Sequence, residues 1–494
     1  MLKYSLFCKP NRNEENNFMS VQPSEVRPGV SKQSFCVHGH FYQPPREDPF
    51  TGKIPVEQGA FPFDNWNEKI FDQCYKPNAE LGNFSRISFN IGPTLAGWME
   101  KTHPDIYRMI IEQENSVYQR TGVSNAMAQS YNHTILPLAT REDKETQVRW
   151  GLIDFEHRFG HKPQGMWLPE TAADLETLQV LEEAGIQFTI LAPWQANTRK
   201  TVNCARPYNV PLGGDRRISV FFYDSELSMK VSFMPEATVN ADGFVYEHML
   251  PKYNQSSRSL NYHVIASDGE LYGHHQPLRQ KFLEWLTTGA LQDQPFGLAF
   301  PAQILQQYPS NLSIRIREKT SWSCHHGVKR WNDVCPCAEH GEWKHGMRHA
   351  FDRIAEYVDE EMQKALKPYG LGLQEFRNEY AYVLTGQEKP QEQLRRLIGS
   401  ELNGDEEDKL LKLMQAQYER QRMFTSCGWF FGDFERIEAR NNLAYAAMAI
   451  FLLEEVTGNP DYYRKIHRAL TRVVNETTGV RASTIFANAF NWGN

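Results

Sequence analysis

The chain is 494 residues long and carries 53 Lys plus Arg against 60 Asp plus Glu, a net charge of −7 with no concentrated basic run, which argues against nonspecific nucleic-acid binding. Hydrophobic residues at 40%, charged residues at 23%, 32 Gly and 27 Pro exclude the disordered, collagenous and coiled-coil classes. The longest apolar run, Leu443 to Leu453, has 11 residues and is too short to cross a bilayer as a helix.

The eight cysteines are sparse and irregularly spaced, unlike a small disulfide scaffold, so reduced thiols in a cytoplasmic protein are expected. Residues 1–33 read as a disordered leader. Its apolar stretch, Tyr4 to Cys8, runs into Lys9, Arg12, Glu14 and Glu15 with no small-residue cleavage site. From residue 34 to 310, β-prone runs alternate with helical patterns, the signature of βα units and a mostly parallel sheet. Strands are expected at Ser34–Val37 and Arg86–Asn90, followed by a helix over Thr146–Phe159 with Val148, Leu152, Phe155 and Phe159 on one side. The clearest unit comes next: the run from Gln164 to Leu168, a helix near Ala172–Ala184, Gly185 at its C-terminal cap, and the run from Gln187 to Ala192. Ile218–Phe222 and Tyr262–Ala266 complete the strands. Residues 311–345, rich in Trp, Cys, His and Gly and without a period, read as a connector contributing to the cleft. Six helical patterns between Met347 and Val474 make 346–494 a helical domain, and the sequence stops just after an aromatic-rich stretch, as a truncated or incompletely folded terminus would.

The polar residues with chemical potential follow strands. In parallel α/β sheets the carboxyl ends of the strands share one face, where ligands bind, so residues distant in sequence can converge. In Trp167-Leu168-Pro169-Glu170, a carboxylate behind a Pro and beside a large aromatic surface suits attack on a sugar carbon. A first-turn Glu complementing a helix dipole is the blander alternative, and composition and spacing alone favour it. The segment Asp268-Gly269-Glu270, followed by His274 and His275, offers proton transfer, yet Asp-Gly is also a common turn dipeptide. His38 and His40 could bond sugar hydroxyls or form half a metal site. Cys324, His325, His326, Cys335, Cys337 and His340 fall within 17 residues, but Cys-x-Cys is not the usual knuckle and no second Cys pair is present. Buried thiols are therefore preferred to a metal, and no metal or cofactor is expected.

Taken in order, His38 to Pro44, Trp167-x-Pro-Glu170 and Asp268-x-Glu-x-x-Gly-His274 resemble glycoside hydrolase family 57, over residues 34 to about 280. The resemblance implies an α-glucan-active enzyme built as a seven-stranded (β/α) barrel, here 34–310, followed by a mostly α-helical domain. It implies Glu170 as nucleophile and Asp268 as general acid/base. His40 and Gln43 match the family's first His-Gln-Pro region with Phe41 and Tyr42 interposed, and His133 matches a His that precedes an apolar-Pro stretch. The family's second-region Glu has no counterpart in Ser124 to Gln129. Segments 320–337 and 424–431 resemble a helical extension carried by one branch of the family. The residues expected to line the substrate are His38, His40, Gln43, His133, Trp167, Trp194, Glu270 and His274; of the aromatics, Trp167 and Trp194 are preferred over Trp322 and Trp331.

The leading expectation is a retaining glycosidase or glucanotransferase acting on an α-glucan or maltooligosaccharide, with its carboxyl groups about 5–5.5 Å apart rather than the roughly 6.5–9.5 Å of an inverting pair. Asp268 should be protonated and Glu170 ionised at rest, with Glu270 supplying the charge that holds the proton on Asp268. Two alternatives stand beside it. One is a metal-dependent polysaccharide deacetylase with His38, His40, Asp268 and His274 or His275 as ligands. The other is a glucan-binding protein that has lost turnover.

Overall fold

The computed structural model describes residues 30–253, 259–399 and 402–490. Most of the expected leader, up to residue 29, lies outside the described residues, as do residues 491–494 of the aromatic terminus.

The barrel is built on β1 (Gln33–Phe41), whose side chains are buried almost throughout, as suits a parallel strand covered on both faces. It pairs in parallel with β2 (Ser88–Ile91) over His38–Phe41, and an isolated parallel bridge from Phe89 to Ala126 leads into β3 (Ala128–Gln129). β3 pairs in parallel with β4 (Met166–Trp167), and the bridge Gly165 to Phe188 passes the sheet on to β5 (Phe188–Leu191). β6 (Tyr208–Gly213) is an antiparallel companion of β7 (Arg216–Phe222), which itself runs parallel to β5. β8 (Asn261–Asp268) returns to β1 in parallel register from Gln33 to His40. The Asp224 N–H, just past β7, donates to the Val264 carbonyl at 2.7 Å and closes the ring. Seven parallel strands therefore form a (β/α) barrel, and β9 (Gly297–Leu298) pairs with the start of β1.

The helices wrap this ring for reasons visible in their sequences. Arg141–Phe159 starts at Thr140, whose hydroxyl accepts the Asp143 N–H, and stops at Gly160 in the left-handed conformation, five residues longer at its start than its apolar period predicts. Gly151 is its closest point to the sheet, because a β-carbon there would stand 1.9 Å from the Gln129 carbonyl oxygen. Leu175–Glu183 is capped by Asp174 and buries Leu178 and Leu181, and Gly185 beyond it takes φ 88°.

The C-terminal helices, chiefly Trp343–Leu366, Gly404–Arg422, Ile437–Thr457 and Ala482–Phe490, enclose a second core that includes Met347, Phe351, Leu413, Leu443, Ile450 and Phe486. That core also takes in Ile135 and Ala172 from barrel loops and Cys324, Trp331 and Cys335 from the connector. Buried polar bonds join the two halves. Asp143 pairs with Arg420 and, at 3.3 Å, with Arg377; Gln147 donates to Gln421 at 3.0 Å; and the Tyr445 hydroxyl donates to the Pro45 carbonyl at 2.8 Å. Among the described residues no helix is long and apolar enough to cross a membrane.

Replacing Gly151 with Ala should destabilise the fold by about 1–3 kcal/mol, because rigid backbone rather than a flexible side chain meets the new methyl group. Denaturant unfolding checks this, and an unchanged midpoint would mean the helix can back away from β3 at no cost.

Candidate active site

Glu170 follows β4 in the short turn Pro169–Thr171, where it adopts φ 57° and ψ 20°, with Thr171 also left-handed at φ 47°. For residues with a β-carbon this costs on the order of 1–2 kcal/mol each, so neighbouring bonds must hold them. The connector does so. Ala173 and Thr320 exchange backbone hydrogen bonds at 2.9 and 3.1 Å, and the Trp322 N–H donates to the Glu170 carbonyl at 3.0 Å. The Glu170 side chain is gripped by the same segment, since Oε2 accepts from Trp322 Nε1 at 3.0 Å and from the Ser323 hydroxyl at 2.7 Å. The helix beyond begins at Leu175 with Asp174 as its cap, which removes the helix-capping alternative for Glu170.

Asp268 is the last residue of β8, in register with His40. Its side chain makes no capping bond in the turn Gly269–Leu271. Glycine is required at 269, where a β-carbon would stand 2.3 Å from the Phe41 ring. Beside it Glu270 is buried, with Oε1 accepting from the Tyr42 N–H at 3.0 Å and the Tyr75 hydroxyl at 2.7 Å.

The two carboxyl environments differ. Burial raises the pKa of Glu170, but the Ser323 and Trp322 donors and the Arg330 charge pull the other way. Asp268 accepts no hydrogen bond among the described residues, and burial, then the charges of Glu270 and Glu170, push its pKa up to about 8. Asp268 is also exposed to solvent, and water tempers the upward shift. Glu270 is pushed up to about 7 by burial. The Glu170 charge acts on Asp268, so the two acids lie within electrostatic reach of one another at the carboxyl ends of β4 and β8.

The remaining predicted residues separate into walls and surfaces. His38 and Trp167 are completely buried, which corrects their expected role as substrate contacts. The His38 ring bonds Ser88 at 3.0 Å and Asn90 at 3.3 Å and stacks on Trp167 at 4.5 Å, so the pair forms the layer beneath the site. His40 Nε2 lies 3.0 Å from His133 Nε2; one ring must donate there and the other accept, so at least one Nε2 is bare. Their other nitrogens are engaged by Asn90 and by the Ser426 hydroxyl, and burial depresses both rings, His40 to about 4. A sugar hydroxyl would have to displace one of these bonds. Gln43 is buried with Oε1 held by Arg46 at 2.9 Å. Trp194, half-buried, donates to the Ser321 carbonyl at 3.0 Å, and His274, half-buried, is held by Gln73 at 2.7 Å.

Three contributors were not among the expected site residues. Trp322 and Ser323, from the connector, bond Glu170, whereas Trp167 was the preferred aromatic. Ser426, from the helical region, reaches His133, and its neighbour Cys427 lies within electrostatic reach of Glu170. The ligand set of the deacetylase alternative does not assemble. Among the described residues the potential metal-binding group is Cys324, His326, Cys335 and Cys337 instead. A separate cavity of about 230 Å³, lined by Asp143, Arg348 and Arg420, lies between the two halves and contains neither Glu170 nor Asp268.

Residues 23–317 match the model of glycosyl hydrolase family 57, and residues 340–488 match a domain of unknown function, DUF3536. An α-amylase of Pyrococcus abyssi is 25% identical over 212 residues, 42% of this chain and 30% of that protein. A 4-α-glucanotransferase of Thermococcus litoralis is 27% identical over 175 residues, 34% of this chain and 25% of that protein. The chain thus spans under a third of the length of these curated relatives. An exo-type maltose-forming amylase from Pyrococcus sp. ST04 shares the fold, with a TM-score of 0.73 and 15% identity across 93% of this chain and 88% of that one.

An acid whose pKa rises from 3.8 unfolded to about 8 folded stabilises the fold below 3.8 and loses that contribution as pH climbs toward 8. Asp268→Asn should therefore gain stability over the parent across that window, on the order of 1 kcal/mol once solvent access is discounted. Melting temperatures of both proteins at pH 4 and pH 8 test this, and an equal difference at the two pH values would contradict the shift.

Proposed function

Because this chain belongs to glycosyl hydrolase family 57, we propose that it is a retaining α-glucan-active enzyme, a hydrolase or glucanotransferase, with Glu170 as nucleophile and Asp268 as general acid/base. The single observation that carries this reading is the opposed treatment of two carboxyls within electrostatic reach of one another. Glu170 is gripped by two donors, and Asp268 has none and feels two neighbouring negative charges. Relatives named α-amylase and 4-α-glucanotransferase support an α-glucan as substrate.

In the first step the Asp268 carboxylic acid gives its proton to the glycosidic oxygen while Glu170 attacks the anomeric carbon. The bond to the leaving glucan breaks and a glycosyl ester of Glu170 forms. Asp268, now a carboxylate, then takes a proton from water or from an acceptor hydroxyl, whose oxygen displaces Glu170 and restores the original anomeric configuration. Burial, then the Glu270 charge, favours the proton on Asp268, and the Tyr42 N–H and Tyr75 hydroxyl keep Glu270 in place. Half-buried Trp194 and Trp322 offer aromatic faces for pyranose rings.

Purified protein incubated with maltooligosaccharides should give α-anomeric products, and chromatography separates the two outcomes. Longer chains mean transfer; glucose or maltose alone means hydrolysis. Binding without any product over long incubation would reject the enzymatic reading. Asp268→Asn should lower kcat by roughly 10²–10⁴-fold, and Glu170→Gln at least as much. A Glu170→Gln variant with near-full turnover would end the nucleophile assignment.

The pH profile should be bell-shaped. Its acid limb reports Glu170 taking up a proton above the ordinary Glu range, and its basic limb, near pH 8, reports Asp268 losing one. Ser323→Ala removes a donor to the ionised Glu170, so the acid limb should move to higher pH while the basic limb stays. A limb that does not move would disconnect Ser323 from the nucleophile.

A further inference from the structure

Outside the cleft, three sulfurs converge on one imidazole nitrogen. His326 Nδ1 lies 3.2 Å from Cys337 Sγ, 3.7 Å from Cys335 Sγ and 3.8 Å from Cys324 Sγ, and the Cys324 and Cys335 sulfurs are 3.5 Å apart. All four ligand atoms lie within 4.8 Å of one another. Hydrogen bonding does not account for this shape, because one ring nitrogen makes one good bond and not three. A Cys324–Cys335 disulfide does not account for it either, since that bond would bring the sulfurs to about 2.05 Å.

A tetrahedral ion explains the spacing. Zinc–sulfur bonds of about 2.3 Å and zinc–nitrogen bonds of about 2.0–2.1 Å place pairs of sulfurs about 3.8 Å apart and sulfur–nitrogen pairs about 3.5 Å apart. The measured separations scatter around those values. We propose that Cys324, His326 through Nδ1, Cys335 and Cys337 form a structural zinc site. Binding replaces three thiol protons with one Zn²⁺, which leaves a cluster of net charge −1 with a neutral imidazole. Lys344, completely buried and without a carboxylate ion pair among the described residues, donates to the Arg330 carbonyl at 2.7 Å and lies within electrostatic reach of Cys324 and Cys335, so a cation already faces the cluster. Four protein ligands close the coordination shell, so the ion holds structure and performs no hydrolysis.

The position of the cluster gives it a task. Ser323 and Trp322, the two donors to Glu170, immediately precede Cys324. The middle of the cysteine loop is tied to the helical region, where Arg330 Nε donates to the Phe430 carbonyl at 3.1 Å. Zinc would thus pin the segment that grips the nucleophile. This second part rests on the reading of Glu170 above; the metal site itself does not.

The test measures metal in the full chain purified without chelator. Elemental analysis should give one zinc per chain, and replacement by cobalt should produce the intense absorption of a tetrahedral thiolate complex. Cys337→Ser is the variant of choice, because Cys337 is exposed and its loss opens no cavity. It should lose most of the zinc while keeping the circular dichroism of the parent, and its kcat should fall about ten- to a hundredfold with little change in KM. A parent chain that holds no zinc after anaerobic incubation with zinc chloride and desalting would overturn the site, as would a Cys324–Cys335 disulfide found by alkylation mapping. A zinc-free Cys337→Ser protein with parental kcat would overturn the coupling to Glu170 and leave the site standing. A parent that binds zinc but turns over no glucan would count against the reading of Glu170 alone.

Discussion

The site depends on one backbone constraint: Glu170 and Thr171 must be held in a left-handed turn that their side chains disfavour. A helix starting directly after β4 would have drawn Glu170 into its first turn and pointed its carboxylate along the outside of the barrel. The chain instead delays the helix to Leu175 and lays the connector against residues 170–173 as a short antiparallel ladder. The strain is stable because that ladder and the bonds from Trp322 and Ser323 fix both the main chain and the side chain of one residue. Remove the connector and the turn has little reason to persist.

The electrostatics follow from the same arrangement. Three carboxyl groups, Glu170, Asp268 and Glu270, occupy one region of the barrel mouth, and full ionisation of all three would be opposed by mutual repulsion and by poor solvation. Donors decide where charge is tolerated. Glu170 receives two side-chain donors, Glu270 receives a tyrosine hydroxyl and a backbone N–H, and Asp268 receives none. The proton therefore settles on Asp268, the acid nearest to accepting it without losing a hydrogen bond. The histidines contribute no compensating positive charge, because burial holds His38 near 3 and His40 near 4.

Much of the scaffold was legible in the sequence because strands buried on both faces read as continuous apolar runs, and the strand-end acids Glu170 and Asp268 stood out by their ordered motifs. β3 was not legible, since two residues, Ala128 and Gln129, carry no period. Trp167 was misjudged for a related reason. Its nearness to Glu170 in sequence suggested a sugar platform, but as a member of β4 stacked on His38 it belongs to the packed interior, and the aromatic at the nucleophile is Trp322, 152 positions away. The convergence of the cysteine cluster was not legible, because it lacks the Cys-x-x-Cys pairs of a zinc knuckle. Its halves are Cys-x-His and Cys-x-Cys, brought together by a loop without helix or strand period.

The helical region is more than an appendage to the barrel. Ser426 accepts or donates at His133 while its N–H bonds the His133 carbonyl at 3.1 Å, and Thr425 bridges Thr134 beside it. His133 itself is left-handed at φ 54°, so a second strained turn at the barrel mouth is held from outside, as Glu170 is held by the connector. Both strained turns therefore owe their shape to segments beyond the barrel strands. Residues 311–490 supply the contacts that maintain Glu170 and His133 in conformations that an isolated loop would relax. The barrel sequence alone supplies the acids; the rest of the chain supplies the force that aims one of them.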